Sequence, residues 1–477
     1  MNTLSKRTLS VAVAIALTGC ATVSPTLQPD VSTPAQWNEA AAQSTAPLSA
    51  QWWSAFNSDE LKQLVDAALA GSPDLAIAAE RVRQAEAQVQ VAGASLFPVL
   101  SVGAGSSRRV TDSEGAASRR ADSSNVAFSA SYELDVWGRN AAGVRAADAS
   151  YRATAFDRDA ARLTLVTGVA TSYFEILSLR GRLGIARENL AIAERVQSLV
   201  EVRARNGAAS QLDVERQQAQ VFSQRAALLP LEQLEKQTLA ALAVLIGRVP
   251  EGFNIGAASL SDLRIPEVNP GLPAELLVRR PDLAAAEAQV AAANGNVAAA
   301  RAALLPSIEL TGSAGISSAA LLSFLSGPQS AISLALSLFQ PIFDGGRLRG
   351  QVAISESRER ELVEGYRKAI LAAFADVEQA LVAVSRSAQR EALQARVQES
   401  ARNALRLAEI RYREGADDLL TVLEAQRTLF QAQDQLAAVR LDRLAGTVGL
   451  YKALGGGWTA QSATLAQQTS TGAGVVR

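Results

Sequence analysis

The most constraining feature of the sequence is a tandem repeat. The segment from Pro73 to Gly247 occurs a second time from Pro281 to Gly455, at a nearly constant offset of about 208 residues. The matched positions are rich in proline, glycine, arginine and aromatic residues, and they include Pro98 and Pro306, Gly138 and Gly346, Arg203 and Arg411, Gly207 and Gly415, and Phe222 and Phe430. A fixed offset at so many special positions indicates one structural unit duplicated in tandem. The chain is therefore predicted to fold from two similar halves.

Charge and composition exclude several classes of protein. The chain has 46 basic and 47 acidic residues, so it has no electrostatic basis for binding nucleic acid. It contains no histidine and one cysteine, which removes the commonest general base and metal ligand, and with them hydrolase triads and zinc sites. We therefore predict that the chain is not an enzyme and that it has no metal site and no cofactor other than a covalent lipid.

The N-terminus has the pattern of a processing signal. Lys6 and Arg7 precede an apolar run, Leu9 to Leu17, that is too short to span a bilayer as a mature helix. The tetrapeptide Leu17-Thr18-Gly19-Cys20 follows, and it resembles a bacterial lipobox, in which the leader is removed before the cysteine and the thiol receives a lipid. A plain cleavable leader with an incidental cysteine is the alternative.

The position of the cysteine favours the lipoprotein. Cys20 is the only cysteine in the chain, and it stands directly after the apolar run. We predict a lipoprotein signal peptide over residues 1–19, lipidation of Cys20, and a lipidated N-terminal segment over residues 20–58. Residue 21 is alanine rather than aspartate, which resembles lipoproteins that are sorted to the outer membrane.

Each repeat contains two segments in which apolar and polar residues alternate. In the first repeat Val126, Phe128 and Tyr132 fall on one face, as in a strand with one apolar side. We predict strands at residues 99–110, 124–136, 306–316 and 330–342, with an exposed loop at 108–123 between the first two. One such strand would also fit a soluble hairpin, but four of about ten residues are typical of a transmembrane barrel. Because four strands are too few to close a barrel, several chains are expected to contribute.

Long stretches with apolar residues at every third or fourth position predict helices. The predicted helices are residues 59–97, 139–206 and 210–246 in the first repeat (59–247), and residues 274–304, 347–414 and 417–454 in the second (274–455). Pro230 is expected to kink or break the helix that contains it. Each repeat thus supplies one very long helix and two shorter helices that together match its length. Residues 248–273 are predicted to be an equatorial linker, and residues 456–477 a C-terminal tail.

Several motifs together resemble one known family. They are Arg203-Ala-Arg-Asn-Gly207 with Leu212-Asp213-Val214, Arg411-Tyr412-Arg413-Glu414-Gly415 with Leu420-Thr421-Val422-Leu423, Arg280-Pro281-Asp282-Leu283, Phe343-Asp344-Gly345-Gly346-Arg347, and Ala243-Val244-Leu245-Ile246-Gly247. With these motifs the chain resembles the TolC-like outer-membrane factors of tripartite efflux and secretion systems. The similarity is greatest to the lipidated, NodT/OprM-like branch that serves resistance-nodulation-division drug pumps.

The resemblance implies a fold class, a function and partners. The fold would be that of an α+β membrane protein, a homotrimer with a twelve-stranded outer-membrane β-barrel continuous with a twelve-helix periplasmic α-barrel. The function would be that of a passive exit duct for drugs or other small molecules, anchored by lipid in the outer membrane with a long periplasmic extension. The partners would be outer-membrane lipid, a periplasmic membrane-fusion adaptor and an inner-membrane pump. A type I protein-secretion channel and a non-conducting scaffold lipoprotein are the alternatives.

The resemblance also implies a gate at the periplasmic tip. Its turns would be formed at Gly207 and Gly415, beside Arg203 and Arg411, and would close the pore and dock the adaptor. A tight turn between helices often needs the positive φ that glycine allows. Residues expected at the constriction are Asp213, which would accept a hydrogen bond from Tyr412, together with Glu424 in an acidic ring and Asp417. Two carboxylates at a helix start, such as Asp417 and Asp418, are also common as helix caps.

Overall fold

The computed structural model describes residues 27, 29–39, 48–113, 116–257, 259–260, 263–318 and 329–459. The predicted signal peptide, Cys20 and the tail beyond residue 459 lie outside these residues.

The described chain consists of long helices and one small sheet. The first repeat contains α1 (Asp59–Gly71), α2 (Pro73–Ala94), β1 (Val99–Ser113), β2 (Ala116–Glu133), α3 (Arg139–Arg205) and α4 (Gln211–Leu245). The second contains α5 (Leu276–Arg279), α6 (Pro281–Ala302), β3 (Ser307–Ser318), β4 (Gln329–Phe339), α7 (Arg347–Arg413) and α8 (Leu419–Ala453). Short 3-10 helices lie at Trp52–Phe56 and Pro273–Glu275. Within the described residues, no helix is both long and apolar enough to cross a membrane.

The four strands form one antiparallel sheet in the order β1-β2-β3-β4. One face is apolar and exposed, as shown by Phe128, Ile332 and Leu334, the last of which is 77% exposed. The other face is polar, and there the hydroxyl groups of facing serines bond in pairs, Ser101 with Ser129 and Ser313 with Ser333, both at 2.8 Å. The sheet therefore has two chemically different faces, and the described chain covers neither completely.

The predicted loop at 108–123 is wrong, because β1 and β2 extend into it. The hairpin continues through the pairs Arg108–Asp122 and Val110–Arg120. The Arg108 guanidinium binds the Asp122 carboxylate at 2.8 and 3.0 Å, a cross-strand ion pair that supports strand pairing between polar residues. At the opposite end β2 stops at Glu133 and β4 at Phe339, three residues before the predicted ends. In β4 the chain soon reaches Pro341, which has no N–H to donate.

The sequence predicted single helices at 59–97 and 274–304 leading into the sheet. In the structure each of these helices is interrupted. The break falls at Pro73 in the first repeat and at Pro281 in the second. Proline disfavours the helical conformation of the residue before it, and Ser72 and Arg280 are both extended, with ψ of 123° and 122°. Pro230, by contrast, does not end α4, which runs through it from Gln211 to Leu245.

The chain divides into two compact units, and neither coincides with one repeat. The first unit comprises the described residues within 1–30, 81–155 and 285–367, and it contains the sheet. In it Gly295 of α6 lies so close to Ala146 of α3 that a Cβ would be 2.9 Å from the alanine methyl, as in helices packed through small residues. The second unit comprises the described residues within 31–80, 156–284 and 368–477. Its core includes a cluster of rings, in which Trp52 stacks on Tyr451 at 5.0 Å and Phe56 contacts Phe174.

Each repeat has a tightly packed joint of the same kind, and both joints lie in the second unit. Gly247 follows α4 with φ of +72°, and a Cβ on it would overlap the carbonyl oxygen of Gly71. Gly455 follows α8 with φ of +82°, and a Cβ there would overlap the carbonyl oxygen of Arg279. Each glycine is thus required both by its backbone conformation and by the close approach of another chain segment.

The joint at Gly455 gives a testable prediction with an internal control. Gly455→Ala introduces both positive-φ strain of about 1–2 kcal/mol and an overlap costing about 1–3 kcal/mol. Gly346→Ala introduces the strain alone, since φ is +88° and an added Cβ meets no described atom within 4 Å. The thermal unfolding midpoint in detergent should therefore fall clearly further for Gly455→Ala. Equal shifts in the two variants would contradict the packed joint.

Candidate functional site

The two long hairpins of the second unit end in matching turns. In the α3–α4 turn the Ala208 N–H donates to the Arg203 carbonyl at 2.8 Å, and in the α7–α8 turn the Ala416 N–H donates to the Arg411 carbonyl at 2.8 Å. Gly207 and Gly415 have φ of +73° and +76°, which confirms the predicted need for glycine at these positions. An added Cβ at either glycine meets no described atom within 4 Å, so conformation and not packing selects the residue.

The helices that follow these turns begin with side-chain caps, of which the cap of α4 is reciprocal. In α4, Ser210 is the N-cap and Asp213 is the third helical residue, and each binds the other's backbone N–H, at 3.2 and 3.0 Å. In α8 the carboxylate and the hydroxyl exchange positions. Asp418 is the N-cap, and it accepts from the N–H and hydroxyl of Thr421 at 3.1 and 3.0 Å. The repeats differ at Asp213 and Thr421 because the acidic residue of the cap is the third helical residue in α4 and the N-cap residue in α8.

The structure does not contain the predicted hydrogen bond from Tyr412 to Asp213. The Asp213 carboxylate instead accepts from the N–H and hydroxyl of Ser210, and the backbone hydrogen bond holds the pKa of Asp213 below its usual range. Tyr412 is 4% exposed. Burial raises the pKa of its phenol, the positive charge of Arg203 opposes that rise, and the charge of Asp213 adds to it. Asp213 therefore acts on Tyr412 electrostatically and not as a hydrogen-bond acceptor.

Arg203 makes the contact between the two hairpins. Its guanidinium lies over the Tyr412 ring, with Cζ 4.6 Å from the ring centre. Its Nη1 donates to the Tyr412 carbonyl, and its Nη2 donates to the Ala208 carbonyl at 3.4 Å. The side chain thus joins the end of α3 to the end of α7. The sequence motif contains Arg203 but gave no indication of this partner.

Arg411, the repeat equivalent of Arg203, binds within its own turn. Its Nε and Nη2 donate to the Asp417 carboxylate at 2.7 and 3.1 Å, and this contact lowers the pKa of Asp417. Asp417 is therefore engaged in holding the α7–α8 turn. The two equivalent arginines have different partners because Tyr412 has only an alanine, Ala204, as its counterpart.

Glu424 lies on the exposed side of α8 in the single chain. It binds Arg427 one turn further along the helix at 2.6 Å, and more than half of its side chain is exposed. The buried side of the same helix carries Val422 and Leu429. Its predicted place in a ring at the constriction stays a prediction. No three His, Cys, Asp or Glu side chains of the described residues are grouped as a metal site would require.

An apolar core lies beneath the turns, and buried amides interrupt it. The core includes Val200, Leu405 and Phe430. Gln426 is fully buried in α8, and neither its amide nitrogen nor its oxygen has a partner among the described residues. In α4 the equally buried Gln217 donates to the Ala193 carbonyl at 2.7 Å. These buried amides were not predicted from the sequence, although glutamine within a stripe of apolar residues is a visible signal.

Comparison with known proteins places the chain in a family. The profile described as outer membrane efflux protein matches residues 64–248 and 272–456, which correspond closely to the two repeats. The chain is 44% identical over 475 residues to the pyoverdine export outer membrane protein OpmQ of Pseudomonas aeruginosa, covering 98% of this chain and 100% of the relative. It is 34% identical over 483 residues to the toluene efflux pump outer membrane protein TtgC of Pseudomonas putida, covering 98% and 99%.

A solved structure has the same fold. It is the open state of the Neisseria gonorrhoeae MtrE outer membrane channel, with a TM-score of 0.84, 30% identity, and coverage of 92% of this chain and 98% of that one. The chain belongs to the outer membrane efflux protein family. The predicted membership of the TolC-like channels, the outer-membrane location and the efflux channel function are thereby confirmed.

The capping pair of α4 gives a pH-dependent prediction. Because the pKa of Asp213 is lowered in the folded protein, its contribution to stability is complete above the unfolded pKa of about 3.9 and is lost as the pH falls through the folded pKa. At pH 6 Asp213→Asn should reduce the hydrogen-exchange protection of the first turn of α4 by about 1 kcal/mol. At a pH below the folded pKa of Asp213 the difference from the wild type should disappear.

The second cap is the control for this experiment. Asp418→Asn retains a good N-cap residue and should have a much smaller effect on the first turn of α8. A loss of protection that is equally large at every pH would contradict the role of the Asp213 charge.

Proposed function

We propose that this protein is the exit duct of a tripartite efflux system, in which three chains build a twelve-stranded barrel in the outer membrane and a twelve-helix barrel in the periplasm. The observation that carries the proposal is the sheet, with its exposed apolar face and its polar opposite face. Among the described strands, β1 and β4 each have one edge without a partner. In lipid an open edge is not tolerated, so copies of the chain must pair with these edges.

The apolar face of the sheet fits a lipid environment. Its side chains include Leu100, Val102, Ile332, Leu334, Leu336 and Leu338, all of them largely exposed in the single chain. Outward apolar residues alternating with small polar inward residues are the pattern of outer-membrane barrels. The opposite face carries serine, glycine and alanine along much of its length, with Glu133 and Glu309 near one end and Arg109 toward the other, and it supplies a polar wall for a passage.

The helical unit also has an apolar surface that a second copy can cover. On α7, Leu371, Val382 and Leu393 are exposed and follow one another at intervals of 11 residues. Eleven residues make three helical turns, so these side chains form a nearly straight stripe along the helix. A stripe of this kind supports side-by-side packing of helices from neighbouring chains in a trimer.

The substrate class is proposed from the relatives. The chain is more similar to a pyoverdine export protein, at 44% identity, than to the toluene efflux protein, at 34%. We therefore assign it the export of pyoverdine-type small molecules, with other small molecules as the wider class. A periplasmic adaptor and an inner-membrane pump would be its partners, and a lipid on Cys20 would anchor it in the outer membrane.

Conductance tests the duct. Purified protein in planar lipid bilayers is expected to give discrete ion-conducting channels. Leu334→Arg should abolish insertion, because a charge on the lipid face at the midplane of the bilayer costs about 2–4 kcal/mol. Ser333→Arg, one residue away on the opposite face, should still insert and should shift ion selectivity toward anions. Assembled trimers that carry no current would indicate a scaffold instead, and equal effects of the two variants would contradict the assigned faces.

Complementation tests the substrate class. Expression of the chain with its adaptor and pump in a strain of Pseudomonas aeruginosa lacking OpmQ should restore release of pyoverdine into iron-limited medium. The same genes in a strain of Pseudomonas putida lacking TtgC should restore toluene tolerance less well. Better complementation of toluene tolerance would reverse the assignment, and secretion of a protein without either small molecule would indicate a type I channel.

A further inference from the structure

We propose that Arg203 is the positioning residue that holds the α3–α4 hairpin against the α7–α8 hairpin and thereby sets the resting closure of the duct. The proposal rests on the proposed channel function. It differs from the expected latch between Asp213 and Tyr412 both in the side chain that acts and in the atoms that it binds.

The geometry of Arg203 uses three properties of a guanidinium at once. Its face covers the Tyr412 ring at 4.6 Å, Nη1 reaches the Tyr412 carbonyl, and Nη2 reaches the Ala208 carbonyl at 3.4 Å. A flat, delocalised cation can stack and donate in several directions, whereas a lysine ammonium can do so only as a point charge. The contact therefore requires arginine and not merely a positive charge.

The acceptor on α7 is suited to a cation. The Tyr412 carbonyl stands in the last turn of the helix, where the backbone dipoles present negative charge. It also accepts from the Gly415 N–H at 3.1 Å, so the turn itself fixes its position. The Tyr412 side chain is buried, so the ring that Arg203 covers is held by its packing. The contacts of Arg203 with Tyr412 therefore form only when the two hairpin ends are close together.

Other candidates for the same task are already engaged. Both caps use their carboxylates locally, Asp213 with Ser210 and Asp418 with Thr421. Arg411 is held by Asp417 in its own turn. Among the described residues of the two turns, Arg203 is thus the side chain whose hydrogen bond and ring contact cross from one hairpin to the other.

Single-channel recording of the full-length trimer tests the proposal. Arg203→Gln should raise the open fraction on the order of tenfold, as expected from loss of a charge-assisted hydrogen bond and a cation–π contact. Arg203→Lys should open the channel to an intermediate degree, since it keeps the charge and loses the planar fork. The matched control is Arg205→Gln, which removes the same charge from an exposed position in the same helical turn and should change the open fraction less than twofold.

Two substitutions of Tyr412 separate this mechanism from a hydroxyl latch. Tyr412→Phe keeps the ring and the carbonyl and should open the channel much less than Arg203→Gln does. Tyr412→Leu removes the ring. Its effect should not add to that of Arg203→Gln, because both changes remove the same contact between the guanidinium and the ring. If Tyr412→Phe opens the channel as far as Arg203→Gln, the hydroxyl is the latch and the proposal is overturned.

The outcomes also separate this proposal from the channel function. A wild type that conducts, with Arg203→Gln unchanged relative to it, overturns the role of Arg203 and leaves the duct intact. Absence of current in the wild type and in every variant overturns the duct itself. Unfolding midpoints of the assembled variants identify misfolding, and a variant that opens with an unchanged midpoint supports a positioning role over a general loss of structure.

Discussion

The sheet imposes the main physical constraint on this protein, because its own chain leaves an apolar face exposed and two strand edges unpaired among the described residues. In water an open edge beside an apolar face is a template for aggregation. In lipid each unpaired backbone group costs several kcal/mol. The proposed trimer solves both problems at once, because copies of the chain would pair edge to edge and lipid would cover the apolar face. In that proposal oligomerisation is a condition for the fold and not an addition to it.

The duplication repeats the backbone closely while the side chains diverge. The equivalent helices α2 and α6 have 22 residues each, α3 and α7 have 67, and α4 and α8 have 35. At the break before the proline, however, the first repeat has Ser72 and the second has Arg280. Arg280 donates to Asp282 at 2.8 Å and to Asp376 at 3.0 Å. The glycine joint present in both repeats preserves the geometry, and the polar contacts around it are specific to one repeat.

The features that depend on local chemistry, namely the long helices and their turns, were predicted from the sequence. The long helices follow from uninterrupted apolar periodicity, and the turns follow from glycine at Gly207 and Gly415. The continuation of the β1–β2 hairpin was missed, because the stabilising pair of Arg108 and Asp122 becomes evident only when the strands are in register. The contact of Arg203 with Tyr412 joins residues 209 positions apart, and no local pattern indicates it. The sequence therefore located the site, whereas its pairing depends on the packing of helices from different repeats.

The asymmetry of the two turns has a consequence for how the proposed trimer closes. Six hairpin turns would surround the axis, and a perfect repeat would make them equivalent. In this chain the contact runs in one direction only, from Arg203 to the last turn of α7, while Arg411 remains bound to Asp417. The α7–α8 turn is therefore fixed internally by its ion pair, and above the shared apolar core its polar contact with the neighbouring hairpin is made by one guanidinium. Opening such a tip requires three equivalent contacts to break, one in each chain, and leaves every turn intact. The backbone of the proposed tube thus has six similar hairpins, whereas its closure depends on three equivalent contacts. Divergence of a few side chains accounts for this difference.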